Sequence, residues 1–344
     1  MSNQDQVTLQ PSARFQLRDL IAGHFVSRAN YVAAQLDIAT LLADGPKTCA
    51  ALADMTHTHA DTLYRLLRAL ASFGVFIEDE QGRFSNTDKS ELLRSDIAGS
   101  LRPLALFFGD EMMVTPWQSL LHSVTTGEPA FEHVYRMHSF DYLSEHPDKA
   151  KIFDEAMVST SSLMNDAIAK AYDFSSFGTI VDIAGGYGST LCTILKANPT
   201  LRGILFDMHH VIEGAHNYIA EQGVVGRCTT VGGDFLRAVP EGADAYFMKH
   251  IIHDWDDERC IKILRNCHQA MPRNGKLLVC ERVVPPGNTP SYSKLGDLAM
   301  LIMTPGGRER TEAQYRTLFE AGGFKLTRFV STESENSVME GQKF

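Results

Sequence analysis

The chain has 344 residues, 44% of them hydrophobic and 22% charged, with a formal net charge of −10. That length exceeds one compact core, and the composition is that of a folded globular protein, which excludes the disordered and membrane-embedded classes. The acidic balance disfavours a nucleic-acid binder, no apolar run is long enough to span a bilayer, and the N-terminal MSNQDQVTLQPSARF lacks the basic-then-apolar pattern of a secretion signal, so a cytoplasmic location is expected.

The first half is patterned for helices. Apolar residues recur at helical spacing through Leu17, Leu20, Ile21 and Phe25, then Val32, Ala33 and Leu36, then Leu63, Leu66, Leu67 and Leu70. The stretch AALADMTHTHADTLYRLLRALASFGVFIEDEQGRFSNT reads as helix, turn, longer helix and a short hairpin around Asp79 to Gly82, the outline of a winged helix. Its second helix offers only Arg65 and Arg68 as cations, so an apolar subunit interface suits it better than DNA binding. From Phe107 to Ala171 the pattern stays helical and rich in aromatic and Met side chains, which serve core packing or line an aromatic pocket. Cys49, Cys192, Cys228, Cys260, Cys267 and Cys280 are scattered without a CxxC pair, so they predict reduced thiols rather than a zinc site or disulfides.

At Thr179 the pattern changes to β-branched or apolar runs alternating with helical segments, as a parallel α/β sheet requires. The predicted strands are TIVDI ending at Ile183, GILFD ending at Asp207, CTTV before Gly232, AYFMK ending at Lys249, LLVCE ending at Glu281, and KLTRFV and SVMEGQ, one of which should be antiparallel. The turn Asp182-Ile183-Ala184-Gly185-Gly186-Tyr187-Gly188 follows the first strand and opens a helix near Ser189, where doubly wound folds bind nucleotide-like ligands. Asp207, about twenty residues on, is placed for a ribose diol in either NAD or S-adenosyl-L-methionine (SAM). The incomplete GxGxxG spacing leans away from NAD. Asp234 and Phe235, after the third strand, suit an adenine whose amine donates and whose face stacks, although an Asp there also serves as a helix N-cap. Together these features favour SAM.

The segment from Lys249 to Arg259 leaves the fourth strand and enters a helix with an acidic first turn, which puts His253 on the ligand-binding edge of the sheet. Alone, such a His is more often structural. Glu281 at the end of the fifth strand and Glu309 in the loop GGRERTE are placed to converge on it, and a His ordered by carboxylates is a general-base arrangement.

The blocks IVDIAGGYG, LFDMHHV, GGDFLRAVPEGADAYFMKHIIHDWDDERCIKILRNC, GKLLVCERVVP and PGGRERTEAQYRTLFEAGGF, spread over nearly the full chain, resemble the plant-type small-molecule O-methyltransferase family, which has bacterial members. The resemblance implies a class I SAM methyltransferase fold, Rossmann-like with a seven-stranded, mostly parallel sheet. It implies a helical, winged-helix-like dimerisation domain over residues 11–100. The methyltransferase domain would span 101–344, its segment 101–172 being helical and substrate-binding. It assigns His253 as the base, Glu281 and Glu309 as its flanking carboxylates, Asp207 as the ribose acid and Asp234 with Phe235 as the adenine contacts. Lys249 and Gly185 would line the cofactor cavity, and Phe107, Trp117, Phe153, Met157, Met300 and Thr304 the acceptor pocket, unless these six merely pack the core.

One position departs from the family pattern: Ala184 stands where a glycine is usual, so the turn must take a conformation open to a residue with a Cβ. The expected activity is metal-free transfer of a methyl group from SAM to a hydroxyl, phenolic by pKa matching, of a small aromatic acceptor, by a homodimer that binds neither nucleic acid nor membrane. Two alternatives remain at this level: a SAM-binding decarboxylase or hydroxylase of the same fold, and a winged-helix regulator that senses a ligand.

Overall fold

The computed structural model describes residues 12–344, apart from the side chains of residues 162 and 163. Residues 1–11, with most of the stretch read for a secretion signal and the start of the first expected domain, lie outside the described residues. The chain forms two compact units, one ending at Val114 and one running from Thr115 to Phe344. The sequence puts the boundary at 100/101, whereas the helix Arg102–Gly109 packs in the first unit against the helix Gly23–Gln35. Gly109 permits this approach, since a Cβ there would collide with the Tyr31 ring, and Arg102 Nε donates to the Ala34 carbonyl at 2.8 Å.

In the first unit, β1 (Lys47–Thr48) leads into the helix Cys49–Thr56, whose first turn is capped by the Thr48 hydroxyl accepting from the Ala51 amide. The longer helix Ala60–Ser72 turns Leu63, Leu67 and Leu70 inward onto Ile38, Leu52, Phe76 and Phe84. The hairpin of β2 (Phe76–Glu78) and β3 (Arg83–Asn86) follows, and β1 pairs with β3. Its turn is closed by Asp79 Oδ1, which accepts the Gln81 and Arg83 amides at 2.9 Å each, and by Gly82 at φ +70°. This is the winged-helix outline expected from the sequence. The preceding helix Ala13–Ile21 buries none of its side chains within the unit.

The second unit is built on a sheet of β4 (Thr179–Ile183), β5 (Arg202–Asp207), β6 (Cys228–Gly232), β7 (Ala245–Lys249), β8 (Lys276–Val284), β10 (Phe324–Ser331) and β11 (Asn336–Lys343), in the order β10-β11-β8-β7-β4-β5-β6. A two-residue β9 (Arg310–Thr311) pairs beside the end of β8. Only β11 runs against the rest, which places the antiparallel strand among the last two. Alternate side chains feed two cores: Ile180, Leu191, Phe247 and Leu278 on one face, and Val181, Tyr246, Ile263, Leu277 and Phe319 on the other. Because β4 is flanked by β5 on one side and β7 on the other, the strand order reverses at β4, and the crevice beyond the strand ends opens there. Among the described residues no helix is long and apolar enough to cross a membrane, and all six cysteines are free thiols.

Candidate active site

At the end of β4 the chain turns through Ala184, Gly186 and Gly188, all with positive φ (+53°, +59° and +84°), and Gly188 starts the helix Ser189–Ala197. Ala184 therefore keeps the left-handed backbone that glycine normally supplies, at a steric cost that its Cβ imposes. Gly185 is needed for packing: a Cβ there would stand 2.5 Å from Asp182 Oδ2 and from Leu205. Above Gly186 a Cβ would meet nothing within 4 Å, so that side of the turn is open to a ligand. Asp207 closes β5 with Oδ2 accepting the Gly186 amide at 2.8 Å and Oδ1 the Met208 amide at 2.7 Å, which aims the carboxylate along the turn and leaves lone pairs for further donors.

Asp234 is exposed, and its Oδ1 accepts the Leu236 amide at 2.8 Å. It thus caps a turn rather than a helix, correcting the N-cap alternative. Phe235 is half-buried, edge-on to Trp255 at 5.9 Å. The Gly233 amide donates to the Asp207 carbonyl at 2.9 Å, which ties this turn to the ribose-type acid. Lys249 donates from Nζ to Ser161 Oγ at 2.8 Å and Asn165 Oδ1 at 3.3 Å, on the helix Pro147–Ala171. Burial lowers its pKa. Asn165 also bonds Ser189 and Thr190, at 2.8 Å each, at the start of the helix after the glycine turn. Asp182 is buried with Oδ2 lacking a partner among the described residues, and burial pushes its pKa up to about 7.

His253 lies in a short 3-10 turn, Ile252–Asp254, just past β7. Its Nδ1 is 2.7 Å from Glu281 Oε2 and 3.9 Å from Glu309 Oε1, and its Nε2 is 3.5 Å from Asp254 Oδ1. Glu281 Oε1 accepts the amides of Ile251 and Ile252 at 2.9 and 2.8 Å, so one carboxylate both caps the turn and fixes the imidazole. Burial would drive the proton off His253, but Glu281, Asp254 and Glu309 outweigh it and raise the pKa. Burial would likewise raise Glu281, yet His253 holds it below the usual carboxylate range, whereas burial dominates at Glu309 and raises it. His250, 5.2 Å away between ring centres, has its pKa lowered by burial to about 3, and as a neutral ring it bonds Asn336 Oδ1 at 2.9 Å.

His253, Glu281 and Glu309 each bring a possible ligand atom within 4.8 Å of the others. Both Glu281 oxygens are already taken by nitrogens, however, and Arg282 Nη1 stands 3.3 Å from Glu309 Oε1. A guanidinium in that place competes with a cation, and the set suits a carboxylate-oriented base better than a metal centre.

Of the expected acceptor walls, Thr304 is buried with its hydroxyl bonded to the Met300 carbonyl at 2.9 Å. It lies near the catalytic turn, because a Cβ on Gly307 would meet both Thr304 Oγ1 and the His253 carbonyl. Met300 and Trp117 are half-buried. Phe153 meets Phe140 edge-on at 6.5 Å, and Met157, on the same helix, is exposed. Phe107 is buried in the first unit. The sequence reading missed Asn165, Ser161 and Arg310. Asp182, quoted there as the first residue of the turn but given no role, lies in β4 two residues before Ala184.

A glycine turn and strand-end acid at the switch point of a doubly wound sheet, beside a carboxylate-oriented His, are the features of a Rossmann-like enzyme that takes a nucleoside cofactor. The chain belongs to the O-methyltransferases: residues 117–325 match the O-methyltransferase domain and residues 18–96 the O-methyltransferase dimerisation domain. It is a SAM-dependent enzyme with the class I methyltransferase fold, as the sequence resemblance implied. Among its relatives is the phenazine O-methyltransferase PhzM of Lysobacter antibioticus, 46% identical over 95% of each chain. The solved structure of CalO1, a methyltransferase of calicheamicin biosynthesis in its SAH-bound form, has a TM-score of 0.87 and 37% identity over 96% of this chain and 98% of that one. NcsB1, an O-methyltransferase from neocarzinostatin biosynthesis in complex with SAM and 2-hydroxy-5-methyl naphthoic acid, has a TM-score of 0.77 and 33% identity over 92% and 96%.

Proposed function

We propose that this O-methyltransferase acts on a phenolic hydroxyl of a small aromatic acceptor of secondary metabolism, with His253 as general base. The observation that carries the reading is the buried 2.7 Å contact between His253 Nδ1 and Glu281, which fixes one tautomer and leaves Nε2 as the edge that accepts a proton. A raised His253 pKa moves the base toward the ~10 of a phenol, so the proton transfer is more nearly balanced than it would be from an aliphatic alcohol. SAM, when bound, supplies an electrophilic methyl group on a sulfonium centre.

In this reading Asp207 takes the ribose hydroxyls, Asp234 and Phe235 the adenine, and Gly185 and Lys249 line the rest of the cofactor cradle. The open space above Gly186 and the spare lone pairs of Asp207 support that fit. Glu281 and Glu309 stabilise the imidazolium formed on proton uptake. Trp117, Phe153, Met157, Met300 and Thr304 are assigned to the acceptor walls, where Thr304, its hydroxyl already bonded, offers a methyl surface. A relative named for phenazine and a related structure that holds a naphthoic acid support an aromatic acceptor. The enzyme acts as a cytoplasmic homodimer, a reading supported by its dimerisation domain and its free thiols.

The test is methyl transfer from labelled SAM to hydroxyphenazines, hydroxynaphthoates and simple phenols, with wild type and His253→Ala side by side. An O-methylated product from the wild type is expected, with turnover about 10²- to 10⁴-fold lower in the variant and SAH affinity unchanged. Methylation on nitrogen or carbon, or full activity in His253→Ala, overturns the reading.

A further inference from the structure

Arg310 is the largest fully buried side chain among the described residues, with 1% exposure, and neither cofactor binding nor proton removal has given it a task. All five of its N–H donors are engaged. Nη1 donates to the carbonyls of Ile252 at 2.9 Å and Arg308 at 3.2 Å. Nη2 donates to the Trp255 carbonyl at 2.9 Å and to Asp257 Oδ1 at 2.8 Å, and Nε donates to the same oxygen at 3.1 Å. Ile252 and Trp255 bracket His253 and Asp254, so one guanidinium grips the base-bearing turn at both ends. Cys260 reinforces the grip from below, its thiol donating to the same two carbonyls at 3.2 and 3.4 Å.

The loop around Arg310 explains why this matters for the base. Arg308, Glu309 and Arg310 alternate: Glu309 faces His253, while Arg308 and Arg310 take the two oxygens of Asp257. The Arg308 amide also donates to the His253 carbonyl at 2.7 Å. Asp257 opens the helix that follows the catalytic turn, so its carboxylate pins the Glu309 loop to the His253 turn. A three-residue 3-10 turn holds itself poorly, and a base displaced by about 1 Å loses on the order of 10²-fold in rate.

We propose that Arg310, locked to Asp257, is a positioning residue that sets the place of His253 against Glu281 and Glu309. The proposal rests on the reading of His253 as the base. Arg310→Lys keeps the charge but loses the fork, and Asp257→Asn keeps the shape but loses the ionic lock. Each is expected to lower kcat about 10- to 100-fold with SAH affinity unchanged, and to displace the pH profile of kcat/KM. Combined with His253→Ala, either change should cost nothing more, because the group it positions is gone.

Should Arg310→Lys fail to fold, Asp257→Asn, whose carboxylate is half-exposed, carries the comparison alone. Wild-type kcat in the variants beside an impaired His253→Ala overturns the positioning role and leaves the base standing. Losses that multiply in the His253→Ala background also overturn it, since they would mark a general structural role. Full activity in His253→Ala itself overturns the base and the positioning role together.

Discussion

The proton on His253 is governed by three carboxylates that outweigh its burial, so in the ligand-free enzyme the imidazole holds its proton above the ordinary histidine range. A base must shed that proton to act. Since kcat/KM reports the free enzyme, it should rise with pH along a limb displaced upward from the usual ~6.5 of histidine. Glu281→Gln removes the largest of the raising charges, so the limb should move to lower pH and the plateau should fall as orientation is lost. Profiles of wild type and variant with one acceptor cancel the titration of that acceptor, and an unmoved limb would refute the Glu281–His253 coupling. Ala184 presents a separate residue-level case. Its φ of +53° costs an alanine about 1 kcal/mol relative to glycine, part of which a glycine returns through the entropy of the unfolded chain. Ala184→Gly should therefore stabilise the protein slightly, by roughly 1–2 °C in Tm, with SAH affinity held within about twofold because the turn already has the glycine conformation. A lower Tm would contradict the strain.

Among the elements, those whose signals are local were legible from the sequence. Parallel strands buried on both faces read as short apolar runs, and the residues that end them, Asp207 and Lys249, stand where the runs stop. The fifth run, whose sequence pattern stops at Glu281, continues to Val284 because Val283 and Val284 pair with Arg310 and Thr311, a partner no local pattern announces. Arg310 was illegible for a related reason: in RER it looks like part of a solvated charge run, and its burial depends on carbonyls more than fifty residues away in sequence. Asn165 gave no signal within its helix, since the Ser189 and Thr190 hydroxyls that it serves arrive only with the folded sheet. The helix Ala13–Ile21 was legible as amphipathic, but not what covers it. Phe15, Leu17, Leu20 and Ile21 on this helix, and Phe25 on the next, are exposed, in a unit that carries the dimerisation domain. We expect Leu20→Glu combined with Ile21→Glu to convert a dimer to a monomer in analytical ultracentrifugation while the far-UV spectrum of the fold persists. A variant that remains dimeric would show that the interface lies elsewhere.

At the scale of the whole molecule, the three hydrophobic cores found among the described residues divide cleanly. One, built on Ile38, Leu52, Leu67 and Phe84, lies wholly in the first unit, and the other two lie wholly in the second, against the two faces of the sheet. Separate cores allow separate unfolding, and each unit binds something different: the first, in the reading above, its own copy, and the second the cofactor. Mass action then distinguishes them. A ligand bound only to the folded second unit stabilises it by RT ln(1 + [L]/Kd), about 2.7 kcal/mol at a hundredfold excess over Kd, which for a unit of this size corresponds to roughly 5–10 °C. Association through the first unit makes the stability of that unit depend on protein concentration and not on SAH. Calorimetric scans should therefore resolve two transitions, one rising with SAH at fixed protein and the other rising with protein at fixed SAH. His253→Ala should lower the second transition, because it leaves Glu281 buried without its partner, but that transition should still rise with SAH, and the transition of the first unit should stay in place. A single transition that moves with both variables would mean that the units unfold as one cooperative block despite their separate cores.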